Sequence, residues 1–77
     1  MTWKTYLVIY FGTNGAKPSE IVSKVESLGF KCALGPVDFI YDWGEKAPTK
    51  DQILELANEL AEVLIGTNCV FNIDTHN

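Results

Sequence analysis

Four short segments of the chain are apolar or alternate between apolar and polar side chains, which predicts four β-strands. Residues 5–11 are branched or aromatic at nearly every position, which predicts a central strand that is apolar on both faces. Residues 37–43 alternate, and shorter apolar runs occupy 30–34 and 69–74. The Gly35-Pro36 pair predicts a tight turn, so the second and third strands are expected to form a hairpin.

Two further segments have the spacing of amphipathic helices. In the first, Pro18 suits the opening turn, and Ile21, Val25 and Leu28 form one apolar stripe. Gly29 predicts a left-handed cap at the end of this helix.

The second helix opens with a capping box in residues 49–52, Thr-Lys-Asp-Gln, and is expected to continue to about Ile65, before Gly66. Its inner side is expected to carry Ile53, Leu56, Ala57, Leu60, Val63 and Leu64. Acidic side chains recur along the helix and predict a solvated face, with cation binding or partner docking as the alternative: Asp51, Glu55, Glu59 and Glu62.

The order β-α-β-β-α-β predicts a single ferredoxin-like α+β domain over residues 1–77. In such a plait a four-stranded antiparallel sheet has the strand order 4-1-3-2, and both helices cover one face. The strands that contain Leu7 and Phe39 are then central. Cys32 and Cys69 fall on opposite edges, about three strand spacings apart, which is too far for a disulfide.

Strand alternation divides the side chains between a face covered by the helices and an open face. The more apolar set is expected to lie inward: Leu7, Ile9, Phe11, Cys32, Leu34, Val37, Phe39, Tyr41, Phe71 and Ile73. The open face is then expected to carry Tyr6, Val8, Tyr10, Lys31, Ala33, Asp38, Ile40, Asp42, Val70, Asn72 and Asp74. A slip of one residue in the third strand would exchange its two sets of side chains.

Length and charge narrow the choice of function. A core built from 77 residues is marginal by itself, which favours self-association. Ten acidic side chains stand against six basic ones, all lysine, for a net charge of −4. This balance, without arginine, argues against a nucleic-acid partner. The apolar run near the N-terminus is too short for a signal peptide or a membrane span, so we expect a cytoplasmic protein without a membrane partner.

The open face is the candidate binding surface, because it would expose more apolar area than soluble monomers usually tolerate. We expect a homodimer or larger homo-oligomer, packed sheet on sheet, with room for a ligand at the interface. Tyrosine rings suit stacking on a flat ring, and aspartates suit N–H donors or a positive charge. The loop after the first strand is a candidate rim. The predicted ligand-binding residues are Tyr6, Tyr10, Asp38, Asp42, Asn72, Asp74, Gly12 and Thr13.

Catalytic and metal sites have less support. Cys32 and Cys69 lack a C-x-x-C partner, and we interpret both as small buried side chains, with a redox role as the alternative. His76, the one histidine, falls in a predicted loose tail at 75–77, which leaves no Ser-His-Asp or Cys-His set. With Asp42 and Asp74 it follows no metal-ligand spacing, so neither a metal nor a cofactor is expected.

Residues 28–37, Leu-Gly-Phe-Lys-Cys-Ala-Leu-Gly-Pro-Val, resemble a segment of the small thiamine-binding proteins, whose pattern is roughly G-L-K-x-x-L-G-P-M. Gly12-Thr13 with residues 19–22, Ser-Glu-Ile-Val, is similar to that family's opening G-T…S-E-Y-V, and residues 70–74 resemble its last strand. The resemblance implies a ferredoxin-like plait that forms sheet-to-sheet assemblies and binds thiamine or its aminopyrimidine half without catalysis. The chain departs from the pattern at Asp38-Phe39, where the family has Gly-Thr, at Trp43, and in an apparent insertion at 44–48.

These features predict a non-catalytic protein that binds a small heterocycle, thiamine or a related aminopyrimidine, at an interface between copies. One alternative is a protein interaction module without a small ligand, which docks a partner through the open face or the acidic helix. Another is a small enzyme that uses carboxylates of the open face.

Overall fold

The structure, a computed structural model, describes residues 2–35 and 37–77, with Leu34 described by its backbone alone. The elements, in chain order, are β1 (Trp3–Tyr10), α1 (Pro18–Glu26), β2 (Lys31–Gly35), β3 (Asp38–Gly44), α2 (Lys50–Val63) and β4 (Val70–His76). This is the predicted order of strands and helices. Pro36 of the predicted turn and the inward side chain predicted for Leu34 lie outside the described part, as does Met1.

The four strands form one antiparallel sheet in the order β2-β3-β1-β4, with β3 and β1 in the centre as predicted. Read from the opposite edge, the same order is 4-1-3-2. Together with the two helices, the sheet makes an α+β fold that is compatible with a ferredoxin-like arrangement.

The register between strands shows which side chains share a face. Tyr6 lies between Ile40 on β3 and Asp74 on β4, whereas its neighbour Leu7 lies beside Phe39. Because cross-strand partners point to the same side of a sheet, the aspartates of β3 lie on the face of Tyr6. The predicted parity of the third strand is therefore confirmed, and no one-residue slip occurs.

The core lies on the face of Leu7 and draws side chains from both helices. Among the described side chains, the buried core contains Leu7, Ile9, Ile21, Val25, Phe30, Phe39, Leu56, Leu60 and Leu64. The apolar stripes predicted for the two helices supply five of these residues in helical spacing, so the helices cover this face of the sheet.

The ends of α2 follow the predicted signals. Thr49 Oγ1 accepts a hydrogen bond from the Gln52 N–H at 3.2 Å, and Gln52 Oε1 accepts one from the Thr49 N–H at 2.8 Å, which completes the capping box. The helix ends at Val63, two residues before the predicted end, because Ile65 N donates to the Glu62 carbonyl in a tighter turn. The acidic side chains at 51, 55, 59 and 62 are all exposed, as predicted.

Two predictions at the edges of the sheet are wrong. Residues 75–77 are not a loose tail, because β4 continues through His76, which pairs with Lys4 of β1. Cys32 is exposed rather than buried. Although it shares the face of Phe39, it lies on β2, an edge strand with a neighbour on one side only. Cys69 is half-buried, and neither cysteine forms a disulfide.

A partly buried chain of side-chain hydrogen bonds joins three strands near one end of the sheet. Thr5, which is completely buried, accepts a hydrogen bond at Oγ1 from Trp43 Nε1 at 2.7 Å. The same hydroxyl lies 2.7 Å from Oγ1 of Thr75. Thr5 on β1 therefore connects β3 with β4 through side chains as well as through the backbone.

Thr5→Val is expected to lower the free energy of unfolding by about 1–3 kcal/mol, because the Trp43 N–H loses its acceptor while the shape of the side chain is kept. Thr75→Val is the matched control, since it removes one hydrogen bond and leaves Trp43 bonded to Thr5. Urea denaturation of both variants measures the difference. If Thr5→Val and Thr75→Val lowered the free energy of unfolding equally, a central role for Thr5 would be contradicted.

Candidate functional site

The sheet face opposite the helices forms the candidate site, and we call it the open face. Its side chains form rows across the strands, because the register pairs Tyr6 with Ile40 and Asp74, and Val8 with Asp38 and Asn72. The open face comprises Lys4, Tyr6, Val8, Tyr10, Lys31, Ala33, Asp38, Ile40, Asp42, Val70, Asn72, Asp74 and His76.

A shallow depression of about 540 Å³ lies over the middle of the open face. Tyr6, Val8, Ala33 and Ile40 make most of its wall, and Asp38 is the charged side chain among the described lining residues. A depression of this size accommodates a small organic molecule. One carboxylate beside apolar walls suits a flat ligand that carries N–H donors or a positive charge.

Tyr6 is held in a ring stack that the sequence did not reveal. Its ring lies 4.5 Å from the His76 ring, centroid to centroid, with an angle of 14° between the planes. His76 Nε2 also lies 3.8 Å from Asp74 Oδ2. The stack fixes the orientation of Tyr6, which forms one wall of the depression. The alternating positions of Asp74 and His76 in the sequence could have predicted that His76 shares this face.

The structure brings only some of the predicted ligand-binding residues to the depression. Tyr6 and Asp38 line it. The others on the open face lie around it: Tyr10, Asp42, Asn72 and Asp74. Tyr10 is 61% exposed at the far end of β1, beside Val70.

Gly12 and Thr13, the predicted rim, belong to a loop that packs against the turn before β4. Ala16 N in this loop donates to the Thr67 carbonyl at 3.2 Å. A Cβ on Gly12 would lie 2.2 Å from the Asn68 carbonyl oxygen, and one on Gly15 would lie 1.8 Å from that of Thr67. The two glycines thus permit a close approach of two backbone segments.

A second depression, of about 500 Å³, continues the open face toward β2. It is lined by two lysines, Lys4 and Lys31, together with Asp42 and Ile40. The positive charge of the open face is therefore concentrated at this corner, whereas Asp38 lies in a row with Val8 and Asn72. A cationic ligand is accordingly favoured near Asp38 rather than near the lysines.

Within residues 2–35 and 37–77, no group of three His, Cys, Asp or Glu side chains is arranged to hold a metal ion. Among the helices of the same residues, none is both long and apolar enough to cross a membrane.

Comparisons with protein-family models, with curated proteins and with solved structures find no match to this chain. The resemblance of residues 28–37 to the small thiamine-binding proteins therefore stays a prediction from sequence.

Proposed function

We propose that this ferredoxin-like domain is a non-catalytic binding protein, and that its open face takes a flat, positively charged heterocycle such as thiamine or a related aminopyrimidine. The central depression is the observation that carries the proposal, because it combines apolar walls with one carboxylate. A ring lying on Ile40 and the edge of Tyr6 removes apolar surface from water. Asp38 accepts a hydrogen bond from the ligand or balances its charge.

The charges around the depression support a cation over an anion. Asp38 lines the wall, and Asp74 lies in the row of Tyr6. The lysines occupy the other depression. An anion at the centre would meet the carboxylate of Asp38 directly, whereas a cation there gains from it. The sequence resemblance to the thiamine-binding proteins points to the same ligand class.

Asp38→Asn is expected to weaken a cationic heterocycle about 10-fold or more, because a charged hydrogen bond becomes a neutral one. Isothermal titration calorimetry with thiamine, its aminopyrimidine fragment and adenine measures the affinity. Glu62→Gln is the matched control, since it removes the same charge from an exposed site on α2, behind the sheet. An unchanged affinity in Asp38→Asn would show that Asp38 is not part of the binding site.

Backbone amide shifts in NMR spectra locate the ligand independently of its affinity. We expect the largest shifts on adding thiamine at Tyr6, Asp38 and Ile40, and small shifts in α2. If none of the three compounds produces heat or shifts, the proposal is overturned, and the open face is better explained as a docking surface for a protein.

A further inference from the structure

Opposite charges occupy matching positions on the two halves of the open face. Lys31 on β2 and Asp74 on β4 stand at the two ends of one row, with Ile40 and Tyr6 between them. Both end residues are exposed. In the next row, Asp42 on β3 pairs with Lys4 on β1. Across a line drawn between β3 and β1, Lys31 therefore matches Asp74 and Lys4 matches Asp42, whereas Asp38 matches the apolar Val8.

We infer that two copies of the chain associate through their open faces about a twofold axis that runs parallel to the strands, midway between β1 and β3. This inference rests on the proposed function, because both use the open face. It identifies a second copy of the chain as the partner that covers this face. Rotation about the axis places β2 of each copy over β4 of the other, and β1 over β3. Lys31 then faces Asp74 of the second copy, and Lys4 faces Asp42.

The same rotation matches apolar groups and strand directions. In projection, Tyr6 of each copy lies opposite Ile40 of the other, so the two central depressions face each other and the ligand lies between them. Because the axis is parallel to the strands, the two sheets keep nearly the same strand direction, as in the common aligned packing at about 30°. The interface is isologous, so every contact occurs twice.

A twofold axis across the strands is disfavoured by the same charges. If such an axis passed along the row of Tyr6, Lys31 would face Lys31 of the second copy, and Asp74 would face Asp74. Like charges opposed across an interface cost free energy and suppress that arrangement. The charge pattern thus selects one of the two simple ways to stack the sheets.

Asp38 couples this association to the ligand. It lies on β3, next to the proposed axis, so the two copies of Asp38 are separated by about one strand spacing, ~4.8 Å, in projection. Stacked sheets lie about 10 Å apart, so the two Asp38 backbones are about 11 Å apart, and carboxylates that extend into the interface from both sheets repel each other. A cation bound between them removes the repulsion, so ligand and second copy should each strengthen the binding of the other.

The interface is small, about 19 Å across four strands and about 23 Å along seven residues. This is at the low end for stable dimers, so association should depend on concentration in the micromolar range. Analytical ultracentrifugation over that range, with and without thiamine, is expected to show a monomer–dimer equilibrium that thiamine shifts toward dimer.

Carbodiimide cross-linking, which joins an ammonium to a carboxylate without a spacer, tests the geometry directly. Within one copy Lys31 and Asp74 lie on opposite edge strands, about 14 Å apart, so they cannot be joined. A cross-link between the peptides that contain them, found between ¹⁴N- and ¹⁵N-labelled copies, is the expected result. A dimer that yields no such cross-link would overturn the proposed axis.

Charge reversal provides the second test. Lys31→Glu alone and Asp74→Lys alone should each raise the dimer dissociation constant roughly 10-fold, since each change alters two contacts. The combined variant should return to within about threefold of the original constant. Lys24→Glu, exposed on α1 behind the sheet, is the control and should leave association unchanged. Failure of the combined variant to recover contradicts the pairing.

The two proposals fail in different ways. Binding of thiamine to a protein that stays monomeric at every concentration would overturn the dimer and leave the proposed function standing. A dimer with the expected cross-link and charge-swap recovery, but with no response to any heterocycle, would support this interface and overturn the proposed function.

Discussion

Gly15→Ala is expected to lower the free energy of unfolding by about 3 kcal/mol, at the upper end of the range for overpacking. The added Cβ would lie 1.8 Å from the Thr67 carbonyl oxygen, and 2.7 Å from the carbon of the same group. These are backbone atoms, so relief requires the loop after β1 to move away from the turn before β4. The Ala16 N–H to Thr67 hydrogen bond would be lost or stretched as a result.

Gly35→Ala is the matched control, because a Cβ at Gly35 meets no described atom within 4 Å. This variant should keep the original stability or gain a few tenths of a kcal/mol, through a less flexible unfolded chain. Urea denaturation of both variants, at one fixed protein concentration, makes the comparison. Similar midpoints for the two would show that the backbones do not approach as closely as described.

Leu60→Ala is expected to lower the free energy of unfolding by about 2–5 kcal/mol, which amounts to unfolding a marginal domain of this size. Leu60 is completely buried, and the core to which it belongs contains nine of the side chains that the structure describes, from the sheet, both helices and their adjoining segments. With so few core residues, the neighbours have little freedom to fill the cavity that alanine leaves. Both the lost apolar burial and the cavity then contribute.

Leu54→Ala tests the same helix at an exposed position, since Leu54 is 50% exposed. It should change stability by less than about 1 kcal/mol. Thermal unfolding followed by circular dichroism gives both values. If Leu54→Ala were the more damaging change, the side of α2 that faces the sheet would be assigned incorrectly.

Helix α2 and the faces of β3 could be predicted from sequence, because their signals are local. The capping box at Thr49 and Gln52 lies within four residues, and Leu56 and Leu60 are one turn apart. In β3, alternation alone places Asp38 on the side opposite Phe39. The exact ends of the helices could not be predicted, because each helix changes to tighter hydrogen bonding three residues before the glycine that marks its end, Gly29 or Gly66.

The features that sequence missed depend on partners far away in the chain. From sequence alone, His76 is predicted to belong to a polar tail. Its place in β4 depends on its pairing with Lys4 of β1. Gly15 reads as an ordinary loop residue until the turn at Thr67 is placed against it. Cys32 reads as a core side chain because alternation reports the face of a strand, but not whether that strand lies at an edge.

The candidate site, too, has features that the sequence predicts and features that depend on the folded structure. Alternation predicted the side chains that share the open face, including Tyr6, Asp38 and Asp74. It could not predict that Ala33 and Ile40 line the same depression as Tyr6, since this depends on the register of three strands. Nor could it reveal that opposite charges match across the midline of the sheet, because that relation exists only once the strand order and register are known.

The pairing of β1 with β4 has a consequence for biosynthesis. Their paired residues are 60 to 72 positions apart, and β4 is synthesised after the other five elements of this sheet and its helices. Until β4 emerges, β1 has an edge whose backbone N–H and C=O groups are unpaired. Such an edge can recruit a strand from a neighbouring polypeptide. We therefore expect the tendency to aggregate to be greatest while β4 is not yet available to pair with β1.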